Sequence, residues 1–273
     1  MADILIDTHC HLDDPVFSSD FQAVLERAQK SLVGPIVIPA VEARSFERTI
    51  ACAHSFEHGY YALGIHPMYV PNAQADDLQT LEDYLQRHLE DPRLVAVGEI
   101  GLDFFVPELR QEPLKEKQLH FYHEQLKLAQ RYELPVLLHV RRAQDLILKY
   151  ARRFPQVTGI AHAFNGSFQQ AERFLDFGFK LGMGGAMTYT RARQIRRLAT
   201  ELPIGSFVLE TDAPDIPPAW LESTQDQAPR NEPYHLQQIA QVFAQLRQIS
   251  ITEAIQQTTL NAQEILPRLG VLS

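Results

Sequence analysis

The stretch ILIDTHCHL, residues 4–12, begins with an apolar run and ends with two histidines that flank a cysteine. Its first four residues are typical of a short buried β-strand. Because alternate residues of an extended chain point to the same side, we expect His9 and His11 to face inward together and Cys10 to face the surrounding helices. The stretch therefore predicts a strand that brings two imidazoles, and not the thiol, to one site.

Seven further apolar runs follow along the chain. Near-continuous apolar runs suit strands that are buried on both faces, as in parallel sheets. The eight runs are 4–7, 35–39, 60–64, 94–99, 135–139, 159–163, 180–184 and 207–211. Segments of helical periodicity alternate with them, so we expect an α/β fold, a closed TIM (β/α)8 barrel. The alternative is an open doubly wound sheet, but the Gly-rich dinucleotide loop typical of that fold does not follow the first run.

The composition is that of an ordinary globular protein, with 273 residues, 45% hydrophobic and 22% charged. We see no linker or internal repeat and expect a single domain, 1–273. The formal charge of −9 argues against a protein that coats long nucleic acid, but not against an enzyme that holds one or two phosphates. Neither a signal peptide nor an apolar span of about 20 residues is visible, which predicts a cytoplasmic protein without membrane contact. We expect a monomer without an obligate protein partner.

Ionisable side chains collect where the predicted strands end, at the face on which barrel enzymes carry their active sites. Besides His9 and His11, they are His66, Glu99, His139, His162 and Asp212. Such groups carry a desolvation cost unless they are paired or bind metal. Apart from His66, the four histidines and two carboxylates exceed the ligands of one tetrahedral ion, so we expect two divalent ions, with Glu99 as the bridging carboxylate. Mixed ligands of this kind suit zinc or manganese and do not exclude magnesium, nickel or iron.

Other candidate residues are less well placed. The segment HSFEH, residues 54–58, fits a metalloprotease pattern, but it precedes strand 3 and should lie at the opposite end of the barrel. For binding a substrate phosphate, Arg141 and Arg191 are the better candidates because they follow strands closely. The remaining arginines near these positions are equally well explained as surface charge; they are Arg142, Arg193, Arg196 and Arg197.

Seven motifs, in order along the chain, resemble those of the TatD family of metal-dependent hydrolases, in particular its bacterial YjjV-like branch. They are DTHCHLD, GIHP, VGEIGLD, LPVLLHVR, HAFNG, LETDAP and RNEP. The resemblance implies an amidohydrolase-like barrel with a metal pair and a phosphodiesterase activity on DNA, often as a 3′-end exonuclease. The ligand sets that it implies are His9, His11, Glu99 and Asp212 for one ion, and Glu99, His139 and His162 for the other.

The expected reaction is metal-assisted hydrolysis of a phosphodiester, at a DNA end or in a small phosphoester. Asp212 would serve as ligand and general base, and His66 and Arg141 would help to stabilise the phosphoryl oxygens. Asp7 and Asp13 are expected to orient the imidazoles.

Two alternatives remain open. One is the hydrolysis of a carboxylic ester or amide, including an aminoacyl ester on tRNA, and the other is a metal-bearing binding protein without activity. Three residues depart from the usual family motifs beside the site and bear on substrate choice; they are Val140, Ala163 and Asn165.

Overall fold

Eight parallel strands form one sheet in the computed structural model, which describes residues 4–221 and 229–270. Each strand pairs in parallel with the next one along the chain. The strands are β1 (Leu5–Asp7), β2 (Val33–Pro39), β3 (Gly59–Leu63), β4 (Leu94–Asp103), β5 (Val136–Arg141), β6 (Gly159–His162), β7 (Phe179–Met183) and β8 (Phe207–Leu209). All eight coincide with the apolar runs, which confirms the TIM-barrel prediction.

Helices surround the strands. Within the described ranges they are α1 (Phe21–Lys30), α2 (Phe46–His54), α3 (Asp76–Arg87), α4 (Leu114–Arg131), α5 (Gln144–Ala151), α6 (Phe168–Asp176), α7 (Arg193–Glu201), α8 (Leu236–Arg247) and α9 (Ile251–Ile265). Helix α6 begins with a capping box, in which the Ser167 hydroxyl accepts from the Gln170 amide and the Gln170 side chain accepts from the Ser167 amide. None of the helices in these ranges is both long and apolar enough to cross a bilayer.

The barrel interior is packed at the end where the strands begin. Alternate strand residues such as Ile6, Val37 and Leu137 cluster there with the end of α9 and the turn that follows it, including Leu266 and Leu269. All five side chains are almost fully buried. Burying a side chain of this size stabilises the fold by about 1.5–3 kcal/mol. This end is therefore closed, and the opposite end is left for a site.

Strand β1 is shorter than the sequence suggests. It ends at Asp7 and the chain bends at Thr8, so His9 and His11 follow the strand instead of lying on it. The prediction of a rigid strand that carries both imidazoles was wrong in this respect. Cys10 nevertheless packs in the layer between strands and helices, where its thiol donates to the Ala213 carbonyl at 3.7 Å.

The first and last strands meet through the segments that follow them. The Thr8 amide donates to the Leu209 carbonyl at 3.1 Å, and the Asp212 amide donates to the His9 carbonyl at 2.8 Å. The Asp7 carboxylate adds bonds from the amide and the hydroxyl of Thr211, at 2.9 and 2.6 Å. No regular strand pairing joins β1 to β8 in the described ranges, so these bonds are what closes the barrel there.

Strand β4 is longer than expected. The apolar run suggested an end at Glu99, whereas β4 continues to Asp103 and Glu99 lies within it. Gly101 makes this extension possible: its φ is +145°, and a Cβ there would lie 2.1 Å from the His139 carbonyl oxygen of β5. The extension brings a second acid, Asp103, to the same face of the barrel as Glu99.

Candidate metal centre

A cavity of about 960 Å³ opens at the carboxyl ends of the strands. Its lining includes most of the predicted ionisable residues, namely His11, His66, Glu99, His139, His162 and Asp212. His9 lies among them and is fully buried. The structure therefore brings the six predicted metal ligands and His66 into one cluster.

Glu99 lies at the middle of the cluster. Its Oε2 is 3.2 Å from His9 Nε2 and 3.5 Å from His11 Nε2. Its Oε1 is 3.0 Å from His139 Nδ1 and 3.3 Å from His66 Nε2. Each oxygen thus faces one pair of imidazoles, which is the arrangement expected of a carboxylate that bridges two ions.

Asp212, in the segment after β8, approaches one of these pairs, His9 and His11, and also His162. Its Oδ1 lies 3.5 Å from His11 Nε2 and 3.6 Å from both His9 Nε2 and His162 Nε2. The backbone of Asp212 has a φ of +59°, in the left-handed region that non-glycine residues seldom adopt. Such conformations persist only where surrounding contacts impose them, and they cluster at functional sites.

Asn231, in the RNEP motif, supplies contacts of this kind. Its side-chain amide donates to the Thr211 carbonyl at 2.8 Å and to the Asp215 carbonyl at 2.9 Å, on either side of Asp212. Its side-chain oxygen accepts from the Glu232 amide at 3.0 Å, and Asn231 is fully buried. Sequence reasoning noted the motif without a role for it, and the structure shows that it fixes the loop of Asp212.

Sequence reasoning missed two carboxylates that lie beside imidazoles of the cluster, each at the ring nitrogen that faces away from Glu99 or Asp212. Asp103 Oδ2 is hydrogen-bonded to His139 Nε2 at 3.0 Å. Glu210 Oε1 lies 3.0 Å from His162 Nδ1. Carboxylates in this position fix the ring orientation and raise the basicity of metal-binding histidines. Both acids belong to motifs at the ends of buried strands, GLD and LET, and this position in the sequence could have identified them as candidates.

Helix α4 holds two of the loops at the mouth through buried glutamines. The Gln118 side chain accepts from the Asp103 amide at 3.0 Å and donates to the Leu109 carbonyl at 2.8 Å. The Gln125 side chain accepts from the Ile65 amide at 2.7 Å and donates to its carbonyl at 3.1 Å. Because Ile65 precedes His66, the helix fixes the starting points of both an imidazole and an acid.

In the described part of the chain, three groups of residues could each hold a metal ion, because the ligand atoms within a group all lie within 4.8 Å of one another. They are His9, His11 and Glu99; His66, Glu99 and His139; and His9, His162 and Glu210. The second group contains His66, which was predicted to bind substrate, in place of His162. His162 instead stacks on His9, with ring centroids 3.7 Å apart.

The electrostatics of the cluster fit a bound cation. Burial alone would raise the pKa of Glu99, but the charges of His66 and His9 and hydrogen bonds from other imidazoles hold it well below its usual range. Burial raises the pKa of Asp212 to about 6, against the opposing charges of His162 and His11. Within the described residues, His9 Nδ1, His162 Nδ1 and Glu210 Oε2 are buried without a hydrogen-bond partner, although His162 Nδ1 lies close to Glu210 Oε1. Imidazole nitrogens and carboxylate oxygens of this kind suit zinc or manganese.

The predicted phosphate-binding arginines differ in position. Arg141 lines the cavity, with its guanidinium 3.8 Å from the centre of the Phe105 ring and 3.7 Å from Asp103 Oδ2. Arg191 is not among the residues that line the cavity and instead lies over Tyr189, 5.1 Å from the ring centre. Arg142, interpreted as equally well surface charge, does line the cavity.

The two acids predicted to orient imidazoles act elsewhere. Asp7 accepts from Thr211 and, at 3.3 Å, from the backbone amide of His9. Asp13 accepts from the Thr49 hydroxyl at 2.7 Å and from Arg48 at 3.4 Å. They shape the backbone and the rim of the site, whereas Asp103 and Glu210 contact the rings.

Residues 6–267 match the model of a family described as TatD related DNase. The chain is 46% identical to the uncharacterized metal-dependent hydrolase YjjV of Escherichia coli K12, over 88% of each chain. It is 30% identical to a 3′-5′ ssDNA/RNA exonuclease TatD of Erwinia amylovora, over 96% of this chain and 99% of that protein. The crystal structure of E. coli YjjV superposes with a TM-score of 0.88 at 41% identity, covering 96% of this chain and 98% of that one. These matches confirm the resemblance drawn from the seven motifs.

Proposed function

Since this chain belongs to the TatD-related DNase family and is a metal-dependent hydrolase, we propose that it cleaves phosphodiester bonds at the 3′ end of single-stranded DNA. The observation that carries the proposal is the position of Glu99 between two pairs of imidazoles, with Asp212 facing one of these pairs, His9 and His11, together with His162. The printed activity of the Erwinia relative supports the choice of a nucleic-acid end.

We propose two divalent ions, zinc, manganese or magnesium, as the cofactors. The proposed ligands are His9, His11, Glu99 and Asp212 for one ion and Glu99, His139 and His162 for the other. Bound together, the ions would lower the pKa of a water molecule and neutralise charge on a phosphoryl group. His66 lies at a distance from Glu99 similar to those of His9, His11 and His139, so it would contact either the second ion or the substrate.

The side chains of this protein supply the remaining chemistry. Asp212 is the proposed general base, because its carboxylate faces the cavity beside the imidazoles and carries a pKa of about 6. Arg141 is the proposed contact to a substrate phosphate, because it borders the cavity and its charge is only partly offset by Asp103 at 3.7 Å. Asp103 and Glu210 hold the rings of His139 and His162 in place throughout.

We further propose one cytoplasmic, monomeric domain over residues 1–273. The single eight-stranded sheet across the described ranges supports the one-domain assignment.

The test measures metal content by elemental analysis and then compares substrates. Protein loaded with zinc, manganese or magnesium is incubated with single-stranded DNA labelled at its 5′ or its 3′ end, and with carboxylic esters and an aminoacyl-tRNA. Stepwise shortening of the 5′-labelled strand is the expected result. Strong cleavage of esters with no metal-dependent cleavage of DNA would overturn the proposal in favour of an esterase or deacylase.

A further inference from the structure

A second concave surface lies beside the metal cavity. It has a volume of about 440 Å³ and is lined by Phe104, Arg110, Lys115 and Arg142, which we call the basic cleft. Three of its four residues are cations, in a chain whose formal net charge is −9. Cations thus predominate in the lining of this cleft, although the protein as a whole is acidic.

This charge is available to a ligand. Across residues 4–221 and 229–270, neither Arg110 nor Arg142 forms an ion pair with a carboxylate. Lys115 Nζ lies 3.6 Å from Glu112 Oε1, but both side chains are more than two-fifths exposed. Exposed ion pairs of this kind are weak, so the lysine is readily shared with another anion.

The basic cleft adjoins the metal cavity. Arg142 lines both of them and follows His139 by three residues. The Phe104 amide donates to the Arg141 carbonyl at 2.8 Å, so the wall of the cleft is built from the ends of β4 and β5. An extended molecule that leaves the cavity past Arg142 would therefore reach the cleft.

An aromatic ring stands at this junction. Phe105 is 44% exposed, and the guanidinium groups of Arg141 and Arg142 lie 3.8 and 4.7 Å from its ring centre. Basic grooves combined with exposed rings are how proteins hold single-stranded nucleic acid, with phosphates on the cations and bases on the rings.

We propose that the basic cleft binds backbone phosphates of a single-stranded nucleic acid whose end occupies the metal cavity. This inference rests on the proposed nuclease function and deepens it, because it makes the enzyme select a polymer over a mononucleotide or small phosphodiester. Guanidinium and ammonium groups are the side chains that pair with phosphate oxygens. The nucleotides beyond the cleaved bond would then contribute to binding without contacting the proposed metal ions.

The experiment compares the double variant R110A/K115A with a matched control, K149A/R173A. Both remove two positive charges, and the control residues are exposed on α5 and α6, outside the lining of the cavity and the cleft. Binding of fluorescent single-stranded DNA to chelator-treated protein is followed by anisotropy from 50 to 200 mM salt. Hydrolysis by metal-loaded protein is measured on oligonucleotides of two to twelve nucleotides and on bis(p-nitrophenyl) phosphate.

We expect R110A/K115A to bind DNA about tenfold more weakly at 0.1 M salt, with a salt dependence shallower by about 0.7 for each phosphate contact that is lost. Its KM for longer oligonucleotides should rise, and its rate on bis(p-nitrophenyl) phosphate should equal that of the unmodified protein. The control should match the unmodified protein in every measurement.

Equal DNA affinity and salt dependence in R110A/K115A and the control would overturn the assignment of the cleft. So would DNA binding by the unmodified protein that does not depend on salt. Failure of the proposed function has a different signature, because the unmodified protein would then bind DNA in a salt-dependent manner without shortening it.

Discussion

The two ends of the barrel carry similar residues in different surroundings. At the amino end, His54 Nε2 lies 2.8 Å from Asp91 Oδ2, and Asp91 also accepts from the Tyr61 hydroxyl at 2.7 Å. At the carboxyl end, His139 lies 3.0 Å from Asp103 in a comparable pair. The His54 side chain is 47% exposed, however, whereas that of His139 is 14% exposed and faces Glu99.

We infer from the difference that such a histidine–carboxylate pair takes part in chemistry when its imidazole also faces a second carboxylate in a cavity. The pair at the amino end joins α2 to the segment before β4 and faces solvent, so it contributes to structure. The pair at the carboxyl end aims an imidazole at another carboxylate in a cavity. Substitutions at the carboxyl end should therefore affect activity, and substitutions at the amino end should affect stability.

The largest expected effect comes from Glu99→Ala. This change removes the carboxylate that faces both imidazole pairs, so both proposed ions should bind more weakly and hydrolysis should fall to background. Metal content and cleavage of labelled DNA are measured together, with Asp91→Asn as the control at the amino end. If Glu99→Ala hydrolysed DNA as fast as the unmodified protein, the functional difference inferred between the two ends would be contradicted.

A smaller but separable effect is expected for His162→Ala and His66→Ala. If His162 is a ligand, its loss should lower the metal content from two ions toward one, while His66→Ala should keep two ions and lower the rate. Elemental analysis of the two variants decides between the ligand set implied by the family and the grouping of His66 with Glu99 and His139. Loss of metal from His66→Ala alone would assign the second ion to His66.

Asp103→Asn and Glu210→Gln should each lower metal affinity or activity by about 10–100-fold, the usual cost of removing a carboxylate behind a ligand imidazole. The fold should survive because both replacements keep the size of the side chain. Asp91→Asn again serves as the control, since it alters the same kind of pair at the other end. Equal effects of all three variants on activity would contradict the comparison.

The smallest effect on catalysis is expected for Leu266→Ala, in the packed amino end. Leu266 is fully buried, so truncation should lower the free energy of unfolding by about 2–5 kcal/mol. Because the cluster around Leu266 is remote from the cavity, kcat of the folded fraction should stay unchanged. Denaturant unfolding and steady-state kinetics measured at the same temperature test both statements.

The strands were predictable because a strand buried on both faces must be apolar along its whole length. The ionisable residues of the site were predictable for the complementary reason, since His139 and Asp212 interrupt that apolar pattern where strands end. Both signals are local in the sequence, so they can be recognised without knowing which strands are neighbours.

What escaped prediction depends on contacts between distant segments. Asp103 and Glu210 could be recognised as partners of imidazoles only once β4, β5, β6 and β8 were side by side. The extension of β4 depends on the close approach of Gly101 to β5. Arg191 was placed by its distance from a strand, but the loop after β7 turns it onto Tyr189 and out of the cavity lining.

The joint between the first and last strands gives the metal site a further property. The backbone bonds that close the barrel involve His9 and Asp212, two of the proposed ligands of one ion. An ion held by both would cross-link the segments that follow the first and last strands, because the two ends of the sheet could not separate without releasing it. Occupancy of the site and closure of the barrel would then be one equilibrium, and a chelator would loosen the ring of strands as well as stop the reaction.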